Sequence, residues 1–312
     1  MFWLYRNPPT QYLRYGLYLK TAPSDWKERL PHPLIFRLQK SLNPAEAIKF
    51  AEDKRLFRER MEAAGLPTIR EVFTVDAAGM TRDPDGQELA PGDAAALIRE
   101  GEFFSKPIDG IQGKEARLVR PGDDVEAFVA DARKVIVQPR IRQHPLLHRL
   151  SPHSVNTVRI DTLRVGKAWI NSAAVLKAGV GDSIVDNGSA GGVFVGIDLE
   201  SGTLQAIGRQ KTKFSTAVYE RHPDTGVVFE DFVVPHWALL RETVTRAAEV
   251  MLPLQTLGWD VAITEDGVLL LEANHNWDPD IFEIGWGGLA DTPVGRMACE
   301  LHGLKPRKEA GN

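Results

Sequence analysis

Apolar and polar positions along the chain follow two different periods. Over residues 53–65, Leu56, Phe57 and Met61 recur at helical spacing in a charged segment, and Gly65 and Pro67 lie just beyond. That pattern predicts a helix that stops at Gly65. Residues 69–75, 102–107, 118–119 and 135–138 read as short strands. Asp83-Pro84-Asp85-Gly86 has turn chemistry, and residues 93–99 and 123–132 read as short helices. Beyond residue 155 the period becomes two. Residues 156–165 alternate through Val158, Ile160 and Thr162, Gly166-Lys167 turns the chain, and residues 168–177 return as the hairpin partner. Strands at 193–197 and 204–207 flank the turn Glu200-Ser201-Gly202. Residues 236–251 place Leu239, Leu240, Val244, Ala247, Ala248 and Met251 on one helix face. A last hairpin pairs residues 261–264 with 268–271 around Glu265-Asp266-Gly267, and a closing helix is expected over 289–304. Antiparallel hairpins with interspersed helices, and no regular βαβ series, predict an α+β fold.

Residues 1–52 differ from the rest. Prolines at 8, 9, 23, 31, 33 and 44 divide an aromatic and basic stretch into short helices, with Arg14, Tyr15, Tyr18 and Leu19 on one amphipathic face. This segment is expected to be an arm packed on the main body rather than a membrane-surface anchor. Three parts are therefore expected: a helical, Pro-rich segment over 1–52, a smaller subdomain with its lead-in helix over 53–145, and a larger catalytic subdomain over 146–312.

Composition narrows the function classes. Hydrophobic residues make up 43% and charged residues 26% of the 312, the balance of a globular chain. Lys plus Arg is 38 and Asp plus Glu is 42, a formal charge of −4, so a nucleic-acid partner is not expected. One cysteine, Cys299, allows no intrachain disulfide or multi-cysteine metal site and points to a reducing compartment. No apolar run approaches the ~18–20 residues of a membrane span. Met1-Phe2-Trp3-Leu4-Tyr5-Arg6 lacks a signal-peptide pattern, so a cytoplasmic location is expected. A homodimer is compatible with this composition.

The strongest chemical pattern lies in the last hairpin. Asp260 is read at the start of one strand, and Glu272 and Asn274 at the end of the other. Residues two apart share a face of a strand, and antiparallel pairing brings Asp260 opposite them. Three converging oxygen donors, two of them anionic, suit Mg2+ held partly by nucleotide phosphates. A second pattern is Phe104-Ser105-Lys106-Pro107-Ile108-Asp109-Gly110-Ile111-Gln112-Gly113-Lys114, where a strand lysine leads into a glycine turn whose N–H groups can approach phosphate. His144, His148 and His153 are separated by Pro145 and Pro152, so no zinc site is expected from them.

In this order the motifs resemble the ATP-grasp superfamily over roughly residues 50–300. They are Asp53-Lys54 at a helix start, Lys106 with its glycine loop, the strand Val135-Ile136-Val137-Gln138, Arg159, Lys177, and the Asp260…Glu272-x-Asn274 set. Gln143-His144-Pro145, Ser154-Val155-Asn156-Thr157-Val158-Arg159-Ile160 and Asp186-Asn187-Gly188-Ser189-Ala190-Gly191-Gly192 resemble its sugar-transfer-associated branch. The resemblance implies two α+β subdomains gripping ATP between antiparallel sheets. It implies that Lys54, Lys106, Gly110, Gly113 and Lys114 serve the phosphates, and that Gln138, Arg140, Ile141 and His144 serve adenine and ribose. Arg159, Lys177 and Asn187 take catalytic places, Gly191 and Gly192 approach substrate, and Asp260, Glu272 and Asn274 bind one or two Mg2+, with Mn2+ as substitute.

The implied activity is an ATP-dependent carboxylate–amine ligase that works through an acyl phosphate on a small metabolite or a sugar-linked precursor, within polysaccharide or natural-product biosynthesis. The partners are then a small carboxylate and an amine. A kinase acting on a hydroxyl and a non-catalytic nucleotide-binding partner are the alternatives. Three departures from the superfamily pattern stand out. Gln138 replaces a common Glu, Gly258 stands where D-alanine ligase-like members carry Arg, and Asn274-His275-Asn276-Trp277-Asp278-Pro279-Asp280 replaces a segment ending in Pro-Gly. His275, Asp278 and Asp280 are expected to bind or deprotonate the amine, against a plain turn at Asp278-Pro279.

Overall fold

The computed structural model describes residues 10–19, 29–108, 116–184, 186 and 190–304. The chain forms two compact units, Thr68–Arg142 and Met1–Pro67 with Gln143–Asn312. No described helix is long and apolar enough to cross a membrane.

The smaller unit holds β1 (Phe73–Val75), β2 (Thr81–Arg82), β3 (Phe103–Pro107), β4 (Arg117–Val119) and β5 (Val135–Pro139) in the order β2-β1-β5-β3-β4. All four pairings are antiparallel. Helices Pro91–Ile98 and Val125–Asp131 cover it, burying Ala94, Ala95, Ile98 and Val129 with Phe73, Val75 and Val137. Asp124 starts the second helix by accepting the Ala127 N–H. The strand expected from residue 69 begins only at Phe73, although Val72 still donates to Val137 O.

The larger unit holds β6 (Thr157–Val165), β7 (Ala168–Ile170), β8 (Ala174–Ala178), β9 (Val193–Ile197), β10 (Leu204–Arg209), β11 (Val218–Tyr219), β12 (Thr256–Ile263) and β13 (Val268–Asn274). Its order is β11-β10-β9-β8-β6-β12-β13, with β7 also paired to β6. Alternation sends Val158, Ile160, Leu176, Trp259 and Val261 to one face, where helices Trp237–Val250 and Lys54–Ala63 pack. The Phe57 and Trp259 ring centroids are 6.3 Å apart there. The opposite face carries Val175 and Phe194 against Trp277, Phe282 and the arm residues Leu34, Ile35 and Leu38. Residues 53–67, expected with the smaller subdomain, thus pack in the larger unit, where Leu270 N also donates to Pro67 O at 2.9 Å. Residues 143–145 join the same unit through the bond from His144 N to Ile263 O.

Several local expectations give way to tertiary partners. The helix Thr10–Arg14 ends before a turn at Gly16 with φ 64°, so Arg14, Tyr15, Tyr18 and Leu19 share no helical face. Tyr15 is buried, whereas Arg14 and Tyr18 are exposed. The arm helix His32–Leu42 is followed by Asn43, whose amide ties Thr256 O, His275 O and the N–H groups of Gln255 and Thr256 together. The closing helix is confined to Pro293–Leu301, and Asp278-Pro279 begins a helix, Pro279–Gly285, that periodicity did not predict. There Asp278 is the N-cap and Pro279 occupies the first helical position.

The return strand expected over 168–177 is broken, because Asp161 Oδ1 takes the N–H groups of Ser172 at 2.7 Å and Ala173 at 2.9 Å out of the ladder. Asp161 is buried, and its Oδ2 has no hydrogen-bond partner among the described residues. Burial pushes its carboxyl up to about 6 against the pull of those backbone donors. Because folding raises this group, its stabilising contribution is complete below the unfolded value of 3.8 and is lost as pH rises through about 6. The total is about 3 kcal/mol. Asp161→Asn keeps a carbonyl for both donors and removes the titration. In urea unfolding, Asp161→Asn is expected to gain about 2–3 kcal/mol on the parent between acid and neutral pH. A gap that stays constant with pH contradicts the account.

Candidate functional site

One rung crosses the larger sheet. Asp260 in β12 is paired with Arg159 in β6 on one side and with Glu272 in β13 on the other. Lys177 in β8 is paired with Thr157, two residues from Arg159, so it shares Arg159's face. Asp260 therefore sits in mid-strand rather than at the strand start expected for it. The strand extends back to Thr256 because β12 is paired on both edges and buried along its whole length. Gly258 lies inside β12, and a Cβ there would lie 2.5 Å from Trp277 Cβ, so the small residue makes room for the Trp277 side chain.

The Arg159–Asp260 part of the rung, with Lys177 beside it, is an ion-pair network with almost no solvent. Arg159 donates Nε to Asp260 Oδ1 at 2.7 Å and a terminal nitrogen to Oδ2 at 2.5 Å, a bidentate fork. Lys177 Nζ lies 2.9 Å from Asp260 Oδ1 and 3.8 Å from Asp186 Oδ1. Burial alone would raise Asp260, yet Arg159 and Lys177 hold its carboxyl far below the ordinary range. Lys177 is held up from its ordinary value, since Asp186 and Asp260 outweigh the burial that opposes its charge. Asp186 is raised by burial, against the pull of Lys177 and Thr157. Its Oδ2 accepts the Thr157 N–H at 2.8 Å and hydroxyl at 2.5 Å.

Glu272 stands at the open end. Its side chain is 43% exposed and 3.9 Å from Arg159. The surrounding protein, then the Asp260 charge, still push its carboxyl up. Asn274 donates its amide to Glu272 Oε1 at 3.1 Å and Gly258 O at 3.3 Å, so its Oδ1 is the atom left to accept or coordinate. The donor set is two carboxylates and an amide oxygen, hard ligands that fit a divalent cation such as Mg2+.

Residues 123–292, more than half of the chain, match the family described as sugar-transfer associated ATP-grasp. The chain belongs to the sugar-transfer associated ATP-grasp family. It matches no curated protein. Among solved structures it is similar to the ATP-grasp ligase PsnB with precursor peptide PsnA2 and AMPPNP, at 16% identity and TM-score 0.47 over 88% of this chain and 68% of that one. A carboxyaminoimidazole ribonucleotide synthase from Aspergillus clavatus, complexed with ATP, aligns at 11% identity and TM-score 0.47 over 84% and 56%. An L-amino acid ligase from Bacillus licheniformis aligns at 13% and 0.41 over 80% and 44%. The chain thus spans about half the length of the latter two.

Other anticipated residues of this ATP-grasp chain are distributed as follows. Lys54 opens helix Lys54–Ala63 in the larger unit. Lys106 lies in β3 opposite Ile136, Gln138 is buried in β5, and Ile141 follows that strand. Arg140 holds Glu102 with two 3.0 Å bonds. His144 caps helix Pro145–Leu150 by accepting the Leu146 N–H. Gly110, Gly113, Lys114 and Asn187 lie outside the described residues. Gly191 has φ 92°, and a Cβ on Gly192 would meet Asp186 O at 2.4 Å, so the glycine pair serves close backbone approach.

The three residues expected at an amine are all engaged within the chain. His275 Nε2 lies 3.0 Å from Glu52, and Lys211 Nζ lies 3.2 Å from Asp278 Oδ2. Asp280 is buried and takes Arg14 at 2.7 Å as well as His32. Residues that sequence reasoning left out of the site are Asp186 and Trp277. The Gln143 amide, quoted only as a family motif, ties Ser151 O, Ser154 O and Asn156 together. Asp186 likewise entered the sequence reading only as the first residue of a segment that resembles the sugar-transfer-associated branch.

Proposed function

We propose that this chain is an ATP- and Mg2+-dependent carboxylate–amine ligase. The observation that carries the reading is the row Lys177, Arg159, Asp260, Glu272, in which two buried cations adjoin hard-oxygen donors on one sheet face. Phosphoryl transfer needs charge neutralisation and alignment rather than a protein nucleophile, and this row supplies charge of both signs at fixed spacing. In this reading Asp260, Glu272 and the Oδ1 of Asn274 hold the ion, which supplies Lewis-acid stabilisation of the phosphates. Arg159 and Lys177 orient the γ-phosphoryl group, and Lys54 and Lys106 serve the other phosphates. Gln138, Arg140, Ile141 and His144 serve the base and sugar.

The carboxylate oxygen of the acid attacks the γ-phosphorus and ADP leaves. The amine then attacks the acyl carbon, the C–N bond forms, and inorganic phosphate departs as the amine gives up a proton. The acid and amine are small metabolites or sugar-linked precursors. Membership of a family described as associated with sugar transfer supports that class.

The test is incubation with ATP, Mg2+ and pools of amino acids and sugar acids, with hydroxylamine present. An acyl-hydroxamate with stoichiometric ADP is the expected product. A stable phosphate ester instead makes the chain a kinase. ATP bound without any turnover makes it a nucleotide-binding partner.

A further inference from the structure

The arm carries a surface that the nucleotide chemistry does not use. Tyr12, Leu13, Tyr18, Phe36 and Phe214 are between 37% and 64% exposed. They lie on segments stitched to one another. The Tyr12 and Tyr18 rings are 6.0 Å apart, and the Thr212 hydroxyl donates to Leu13 O and Arg14 O. Arg14 bonds His32, whose ring stands 5.7 Å from Phe36. Phe36, Arg37 and Lys40 are exposed at i, i+1 and i+4, one outward face of helix His32–Leu42. Lys213 Nζ sits 4.6 Å over the Phe214 ring.

The charge is uneven. The chain as a whole is −4, yet residues 1–45 carry seven Lys or Arg against Asp25 and Glu28, and residues 201–219 carry three Lys or Arg and no acid. The acids beneath the arm are neutralised internally, Asp280 by Arg14 and Asp278 by Lys211. Arg37, Lys40 and Lys213 make no ion pair among the described residues. Basic residues interleaved with tyrosines and single apolar side chains suit a wet, anionic headgroup layer, where amphipathic rings rest at the boundary and cations meet phosphate. A protein partner instead favours a continuous dry centre with a polar rim, and these apolar side chains stand apart among cations.

We propose that the face formed by the arm and the loop carrying Lys213 and Phe214 docks on an anionic lipid bilayer. The chain lies on the surface and does not span it.

The test is co-sedimentation of the full chain with vesicles of phosphatidylcholine alone and of phosphatidylcholine mixed with phosphatidylglycerol. Partition to the mixed vesicles only, weakening as salt is added, is expected. The triple change Arg37→Glu, Lys40→Glu, Lys213→Glu lowers that partition by on the order of 100-fold, at about fivefold for each lost cation. Tyr12→Ser with Phe214→Ser lowers it without altering charge. An unchanged melting temperature shows that these exposed changes leave the fold intact. Absence of binding to mixed vesicles at low salt overturns the proposal. So does equal binding by the triple variant, or binding to RNA or an acidic protein with none to vesicles.

Discussion

Asp260→Asn is expected to unfold at a urea midpoint lower by the equivalent of about 3 kcal/mol or more, and to lose ATP turnover by about 10²–10³-fold. Both effects come from one side chain with two sets of obligations. Arg159 and Lys177 are each 8% exposed and face Asp260 at 2.5–2.9 Å. Neutralising the carboxylate leaves both cations buried, with Glu272 at 3.9 Å and Asp186 at 3.8 Å as the remaining anions. Removing one member of a buried pair costs more than the pair contributes, because the survivor keeps its desolvation penalty. The pH dependence has a definite sign. Folding depresses Asp260, so its contribution is present above the unfolded value of 3.8 and fades as pH falls below it toward the depressed folded value. The gap between parent and Asp260→Asn should therefore narrow in acid. An unchanged midpoint at neutral pH would falsify the network as a stabilising element.

Glu272→Gln is expected to separate chemistry from folding. The side chain is 43% exposed, and its nearest cation, Arg159, is already satisfied by Asp260. Its loss should move the urea midpoint by no more than about 0.5 kcal/mol. Turnover should nonetheless fall by about 10²-fold or more, because the variant replaces an anionic oxygen ligand of the proposed Mg2+ site by a neutral one. The Mg2+ concentration needed for half-maximal ATP turnover should rise as well. A variant that hydrolyses ATP at the parent rate removes Glu272 from the metal site. A variant that fails to fold shows that the glutamate is structural instead.

Local periodicity was enough to establish an antiparallel α+β fold and the pairing of the last hairpin. Strand alternation and the Glu272–Asn274 spacing are properties of backbone geometry that each residue carries with it. Asp260 opposite Glu272 followed from the same rule. The order of Lys106, Arg159, Lys177 and the closing carboxylates was legible only through its resemblance to the ATP-grasp superfamily.

Tertiary structure decided what those groups touch. Arg159 grips a carboxylate 101 residues away because β6 and β12 are neighbours in the sheet, an adjacency that no local pattern encodes. The burial of Asp280 under Arg14 and His32, and the anchoring of the arm by Asn43, depend on segments more than 200 residues apart. That Gly258 faces Trp277, whose Cβ would lie 2.5 Å from a Cβ at that position, was likewise set by packing across 19 residues of chain. Side-chain identity set the chemistry available at each position; long-range packing set which charges are buried together, and burial is what turns those charges into a site.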